Sequence, residues 1–165
     1  MEPASDLNRQ PIDPFASPAP ATVLLFVRTD CPVSKRYAPE LGRIAKEFEH
    51  QGVKFWLVFP DRAETADNIR QAIADYHFPG SPLLDPAHLL VKRARAVTAP
   101  EAAVFDKTDK LVYHGRIDDL YVDIGKSRQA AQVHDLEDAI MAVLAGKPVR
   151  QSETQAVGCS LADVE

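Results

Sequence analysis

This sequence of 165 residues has few cysteines, no excess of positive charge and no long apolar run. Its two cysteines, Cys31 and Cys159, are too few for a secreted disulfide scaffold and too far apart for a compact zinc motif. The formal net charge of -5 argues against a nucleic-acid surface, which needs clustered Lys and Arg. No run approaches the roughly 18 apolar residues that span a bilayer, and the N-terminus lacks the basic and apolar segments of a secretory signal. We therefore expect no nucleic-acid or membrane partner.

The same absences bear on location and organisation. A cytoplasmic location is the default expectation, or a periplasmic one if a signal has been trimmed from the chain.

With 45% hydrophobic residues the chain can build its own core. Residues 1–20 contain five prolines among small and polar residues and are predicted to form an extended arm. Residues 21–150 are predicted to form one domain, and residues 151–165 a mobile polar tail that carries Cys159.

Apolar patterning predicts alternating strands and helices. Runs at 22–27 and 53–59 are typical of strands buried on both faces. Spacings of three and four residues predict helices from Val33 to Phe48, interrupted by a kink at Pro39, and from 66 to 76. A short helix is expected from Asp85-Pro86 to about Ala94, a hairpin from strands at 102–105 and 111–113, and a last helix capped by Asp135.

Cys31 follows the first of these strands and stands at the first turn of the first helix. Unpaired N–H groups at a helix start carry partial positive charge, which lowers the pKa of a thiol placed there. We therefore predict that Cys31 is a solvent-accessible nucleophile. Ser34, one turn later, can hydrogen-bond the thiolate and keep its pKa low. The alternative is that Cys31 is a small buried apolar residue, a common fate of free cysteine.

The order strand, helix, strand, helix, hairpin, helix, with a cysteine at the tip of the first helix, resembles the thioredoxin-like fold. Cys31-Pro32-Val33-Ser34 stands where thioredoxins carry Cys-x-x-Cys, and Ala38-Pro39 follows at the expected spacing. Thr98-Ala99-Pro100 is similar to the cis-proline loop that faces the active-site cysteine in that family. Segments 30–34, 105–107, 113–119 and 158–161 resemble the redoxin branch, which also contains the AhpC/TSA-type proteins.

The resemblance implies an α/β fold with a central mixed β-sheet flanked by helices, over residues 21–161. It also implies thiol-disulfide exchange at Cys31, with Pro32, Thr98, Ala99 and Pro100 contacting a protein or small-molecule thiol or disulfide. The sequence departs from its relatives in two places. Ser34 replaces the second thioredoxin cysteine, so a local dithiol cycle is impossible. Arg28 stands where the Thr-x-x-Cys pattern of peroxiredoxins has threonine.

A lone thiolate that attacks a disulfide or a peroxide remains a mixed disulfide or a sulfenic acid until a second thiol resolves it. Cys159 is the only internal candidate, provided that the tail brings the two α-carbons within about 7 Å. If Cys159 does not resolve, an external thiol such as glutathione must do so.

Arg116 is open to two interpretations. It forms an ion pair with Asp118 or Asp119 that fixes the following loop, or it lies beside the thiol and binds substrate. The five histidines show no metal-ligand spacing. Lys35 occupies the position of the second cysteine in copper-delivery relatives of the fold. We therefore expect neither a metal nor another cofactor.

The leading hypothesis is a thiol-disulfide oxidoreductase that uses Cys31 as nucleophile, Ser34 as thiolate stabiliser and Cys159 as possible resolving cysteine. Two alternatives stay open. One is a peroxiredoxin-like peroxidase, and the other is a binding module that keeps the fold without turnover.

Overall fold

A five-stranded mixed sheet lies at the centre of the computed structural model, which describes residues 3–161. The strands are β1 (Ala21–Phe26), β2 (Lys54–Phe59), β3 (Ser81–Leu84), β4 (Thr98–Ala99), β5 (Glu101–Asp106), β6 (Leu111–Gly115), β7 (Tyr121–Asp123), β8 (Lys126–Ser127) and β9 (Cys159–Ser160). The central sheet has the order β3-β2-β1-β5-β6, with β1 to β3 parallel and with β5 antiparallel to both of its neighbours. This mixed sheet confirms the expected fold class.

Within the described residues, four helices complete the fold: α1 (Pro32–Glu49), α2 (Ala66–Tyr76), α3 (Leu89–Ala94) and α4 (Asp135–Leu144). Buried side chains of α1, α2 and α4 pack on one face of the sheet, and those of α3 pack on the other. Every residue of β1 is therefore buried, as the unbroken apolar run at this strand predicts. No helix within residues 3–161 is long and apolar enough to cross a membrane.

The N-terminal arm lies against the sheet on the α3 side. Ser5 exchanges backbone hydrogen bonds with Leu84 at 2.8 and 3.0 Å. The Phe15 ring meets the Phe105 ring edge-on, with 4.9 Å between centroids, and the Arg93 guanidinium lies 3.8 Å from the Phe15 centroid. The apolar residues of the proline-rich arm thus find a groove in the domain.

The C-terminal segment is bound as far as Leu161, so the expectation of a mobile tail is wrong for residues 151–161. Residues 162–165 of the expected tail lie outside the described residues. His114 donates its N–H to the Ser152 carbonyl at 3.0 Å, and Thr154 donates its N–H to the His114 carbonyl at 3.2 Å. Further along, β9 pairs with β4 in antiparallel register. The tail is ordered because the outer edge of β6 and the short strand β4 offer backbone groups that need partners.

Several element boundaries differ from the sequence expectations. The strand β3, which contains Pro82, was not predicted from the sequence. The helix α1 contains Pro39, as the sequence predicts, and extends one residue further at each end than expected. The helix α3 begins only at Leu89, where the Asp85 carboxylate accepts the N–H groups of residues 89, 90 and 91. Asp135 is the first residue of α4 rather than its cap, and His134 takes the cap position.

Gly115, at the end of β6, allows the tail to approach closely. Its φ is +144°, and a Cβ added there would lie 2.8 Å from the Thr154 nitrogen and closer still to both Thr154 oxygens. Gly125 also has a positive φ, but a Cβ there would meet nothing within 4 Å. The space beside Gly115 is therefore filled by the tail.

We expect Gly115→Ala to lower the free energy of unfolding by about 1–3 kcal/mol more than Gly125→Ala, because the added methyl group overlaps the tail. Urea unfolding of both variants and the wild type measures the difference. Equal losses for the two variants would show that residues 152–154 do not pack against β6 in solution.

Candidate redox site

Cys31 and Cys159 form a disulfide bond across 128 residues of sequence, with their α-carbons 6.1 Å apart. Cys31 is the N-cap residue of α1, and Pro32 occupies the first helical position, as the sequence predicts. Cys31 has no exposed surface, whereas Cys159 is partly exposed. The expectation that the Cys31 sulfur is open to solvent is therefore wrong for this oxidised form.

The predicted cis-proline loop lies directly beside the disulfide. The Ala99-Pro100 peptide bond is cis, as the resemblance implies. The Cys31 Sγ lies 3.3 Å from the Ala99 carbonyl oxygen, and Cys159 is the register partner of Ala99 in the β4–β9 pair. Thr98 is half-buried opposite Ser160, and Pro100 is buried. The structure thus brings Cys31, Cys159 and the loop 98–100 together.

Ser34 and Pro32 lie on the first turn of α1. Ser34 is fully buried, and its Oγ accepts the Arg28 N–H at 3.4 Å, which ties the turn before Cys31 to the helix. The sulfur of Cys31 is held in a disulfide here, so the stabilisation of a thiolate by Ser34 stays a prediction. Pro32 is exposed next to the buried Cys31, and its contact with a substrate also stays a prediction.

Arg28 joins the cysteine turn to the tail, a role that sequence reasoning missed. Its guanidinium lies 3.0 and 3.1 Å from the two carboxylate oxygens of Asp30 and 3.6 Å from Asp61. It also donates to the Ser160 carbonyl at 2.9 Å. The hydrogen bond from Arg28 lowers the pKa of Asp30. The only signal in the sequence was an arginine three residues before Cys31, where peroxiredoxins have threonine.

Arg116 forms an ion pair with Asp135, at 2.7 Å, and not with Asp118 or Asp119. Asp118 instead accepts the Tyr37 hydroxyl at 2.5 Å, and Asp119 accepts two backbone N–H groups of residues 132 and 133. The pair links the end of the sheet to the start of α4. Arg116 also lines a narrow space beside Pro100 and residues 155–157, so its predicted contact with substrate remains a prediction.

Glu101 follows the cis-proline and was not among the predicted site residues. It is 3% exposed, and its Oε1 accepts the Val97 N–H at 3.4 Å. A backbone hydrogen bond from Thr98 also reaches the Glu101 carboxyl. Its Oε2 has no hydrogen-bond partner within the described part of the chain. Burial raises the pKa of Glu101 to about 7. The carboxyl therefore holds β4 in place and gains a proton near neutral pH.

Among residues 3–161, one group of potential metal ligands lies away from the disulfide. Ligand atoms of Glu40, Asp118 and His134 lie within 4.8 Å of one another. Sequence spacing could not indicate this group, because its members come from three separate segments. Arg43 already pairs with Glu40, and Tyr37 donates to Asp118. The chain's own donors thus serve both carboxylates, and we assign no ion to them.

Glu101 gives the stability of the fold a predictable pH dependence. Between its ordinary pKa of 4.5 and its folded pKa of about 7, the folded chain holds a proton that the unfolded chain has released. The free energy of unfolding therefore falls as the pH rises through this window, by at most about 3 kcal/mol from this group.

We expect Glu101→Gln to remove the decrease in the free energy of unfolding that Glu101 causes between pH 4.5 and 7. The glutamine keeps an oxygen that accepts the Val97 N–H. Urea unfolding at several pH values between 4.5 and 8 measures the slope. The matched control is Glu49→Gln, at an exposed residue that does not contribute to the Glu101 pKa. Identical slopes for the wild type and Glu101→Gln would contradict the assigned protonation.

Comparisons with known proteins identify the family of the chain. The AhpC/TSA family profile matches residues 15–114. A hypothetical protein from Sinorhizobium meliloti shares 26% identity over 86% of this chain and 79% of that chain, with a TM-score of 0.73. An uncharacterized conserved protein from Geobacillus kaustophilus shares 25% identity over 97% and 88% of the two chains, with a TM-score of 0.76. No curated protein matches the chain.

A more distant neighbour shows the fold alone. A secreted disulfide oxidoreductase from Mycobacterium tuberculosis, homologous to E. coli DsbE, shares 17% identity over 87% of this chain and 93% of that chain, with a TM-score of 0.57. The family match, together with two cysteines that pair beside a cis-proline, supports a thiol oxidoreductase of a general kind. The chain has a thioredoxin-like fold and belongs to the AhpC/TSA family.

Proposed function

We propose that the protein is a thiol-disulfide oxidoreductase in which Cys31 is the nucleophile and Cys159 is the resolving cysteine. The observation that carries the proposal is the disulfide between these residues, seated against the cis-proline loop. Two cysteines 128 residues apart pair only when the tail is bound at this place.

The proposed cycle starts from the reduced chain. The Cys31 thiolate attacks one sulfur of a substrate disulfide, which forms a mixed disulfide on Cys31 and releases the other half as a thiolate. The Cys159 thiolate then attacks the Cys31 sulfur, forms the internal disulfide and releases the second half. The substrate gains two electrons, and the chain loses two. An external thiol reductant, two equivalents of a monothiol or one dithiol, then returns the chain to its starting state.

The helix start at Cys31 is the feature that favours a thiolate on its sulfur in the reduced chain. Cys31 caps an 18-residue helix whose first turn contains no acidic residue, so the partial positive charge of the helix start is not cancelled within the helix. A favoured thiolate is also the better leaving group when the internal disulfide is reduced. The incoming reductant then attacks Cys159, because Cys159 is partly exposed and Cys31 is not.

A peroxidase is the second candidate, and the AhpC/TSA family match favours it. Cys31 would reduce a peroxide and become a sulfenic acid, and Cys159 would attack that sulfur, forming the same disulfide and releasing water. Arg28 replaces the peroxiredoxin threonine, and its guanidinium binds Asp30 and the tail. We therefore rank disulfide exchange above peroxide reduction.

Exchange with a fluorescently quenched glutathione disulfide tests the leading proposal. We expect Cys31→Ser to lose turnover by about 100-fold or more, because it removes the nucleophile. We expect Cys159→Ser to accumulate a one-to-one mixed disulfide on Cys31, which intact-protein mass spectrometry detects. Turnover by Cys31→Ser at the wild-type rate would disprove the proposal. Faster consumption of hydrogen peroxide than of the disulfide would favour the second candidate.

A further inference from the structure

The last described residues of the chain form an extended strand on the edge of the cis-proline loop. Thr98 pairs with Ser160 and Ala99 with Cys159, in antiparallel register. Leu161 donates its N–H to the Val97 carbonyl at 3.0 Å, which continues the pairing by one residue. Residues 158–161, which we call the tail strand, thus add to a sheet edge as a bound peptide does.

The position before Cys159 accepts only glycine. A Cβ on Gly158 would lie 2.8 Å from the Ala99 carbonyl carbon, closer still to the Ala99 oxygen, and 3.1 Å from Pro100 Cδ. The obstacle is rigid, because Ala99 is backbone in a paired strand and Pro100 is a buried ring. Any side chain at this position therefore forces the two strands apart.

The position two residues after Cys159 accepts an apolar side chain. Leu161 is 6% exposed and packs in the cluster that contains Leu90, Ala96 and Ala99. Ser160, between them, is exposed, and its carbonyl accepts a hydrogen bond from Arg28. The binding site of the tail strand therefore selects the sequence Gly-Cys-x-apolar, where x is any residue.

We propose that the seat formed by Arg28 and residues 97–100 also receives an extended Gly-Cys-x-apolar segment of a partner protein, in place of the tail strand. The proposal rests on the proposed function, since the partner's cysteine is the disulfide sulfur that the Cys31 thiolate attacks. The segment and the tail strand compete for one seat. The oxidised chain is closed to partners, because the disulfide holds the tail strand there at a high effective concentration. Return of the tail strand then expels the reduced partner segment.

A peptide with the sequence of residues 156–161, joined through its cysteine to glutathione, tests the seat. We expect it to form a mixed disulfide with the reduced Cys159→Ser chain at least about 10-fold faster than the same peptide with alanine in place of glycine. Glutathione disulfide, which lacks the peptide, gives the rate of mixed-disulfide formation on Cys31 without binding to the seat. Equal rates for the two peptides would overturn the proposal.

A second measurement does not depend on disulfide exchange. The same peptide with serine in place of cysteine should protect Cys31 of the Cys159→Ser chain from iodoacetamide, and the alanine peptide should not. Protection should increase in the Gly158→Ala/Cys159→Ser chain, because its own tail strand fits poorly. Protection should stay unchanged in the matched Gly42→Ala/Cys159→Ser control, because a Cβ on Gly42 would meet only the His77 carbonyl oxygen, at 3.9 Å.

The outcomes separate the two proposals. Protection by the glycine peptide without any disulfide exchange would remove the proposed function and leave the seat standing. Exchange without protection, or with equal protection by both peptides, would remove the seat and leave the function standing. Oxidation of the wild type to Cys31–Cys159 dimers would overturn the proposal in favour of a second copy of the chain as the occupant.

Discussion

The pairing of β9 with β4 is the contact on which the redox site depends. It brings Cys159 opposite Ala99, within bonding distance of Cys31, and closes Cys31 off from solvent. Two hydrogen-bonded residues are a short strand, and such a strand is not stable by itself. Its position therefore depends on contacts at both ends: Leu161 in the apolar cluster beside α3, and Thr154 between Tyr113 and the Arg116 backbone.

Two polar side chains then hold the two strands relative to the cysteine turn. Glu101 accepts backbone N–H groups from the loop that leads into β4, and Arg28 binds the backbone of β9 from the opposite side. Glu101 is the first residue of β5, and Arg28 follows the end of β1 by two residues. Burial makes these contacts stronger than surface ion pairs, since Glu101 is 3% exposed. The site is thus assembled by the sheet and completed by the tail.

The sequence predicted the parts of the fold that depend on local pattern. Cys31 at a helix start, the buried strand β1 and the helix from 66 to 76 follow from apolar periodicity and from turn residues. The cis bond before Pro100 came from a family resemblance. The bound tail could not be predicted, because its partners on β4 and β6 are tens of residues away and the tail itself is polar. The Asp135 partner of Arg116 was missed for the same reason.

Moving the second sulfur from position 34 to position 159 changes what oxidation does to the surface. In a Cys-x-x-Cys helix both sulfurs lie on one turn, so a disulfide there leaves the neighbouring backbone paired as before. Here the second sulfur lies on a separate strand, and the S–S bond also tethers the hydrogen bonds and apolar contacts of residues 158–161. Breaking the bond removes the tether, and the strand then stays only as far as its few contacts hold it. The redox state of Cys31 therefore determines whether the edge of β4 is covered by the tail strand or accessible. Because residue 34 is serine, Cys159 is the only cysteine in the chain with which Cys31 can form a disulfide, so the two properties always change together.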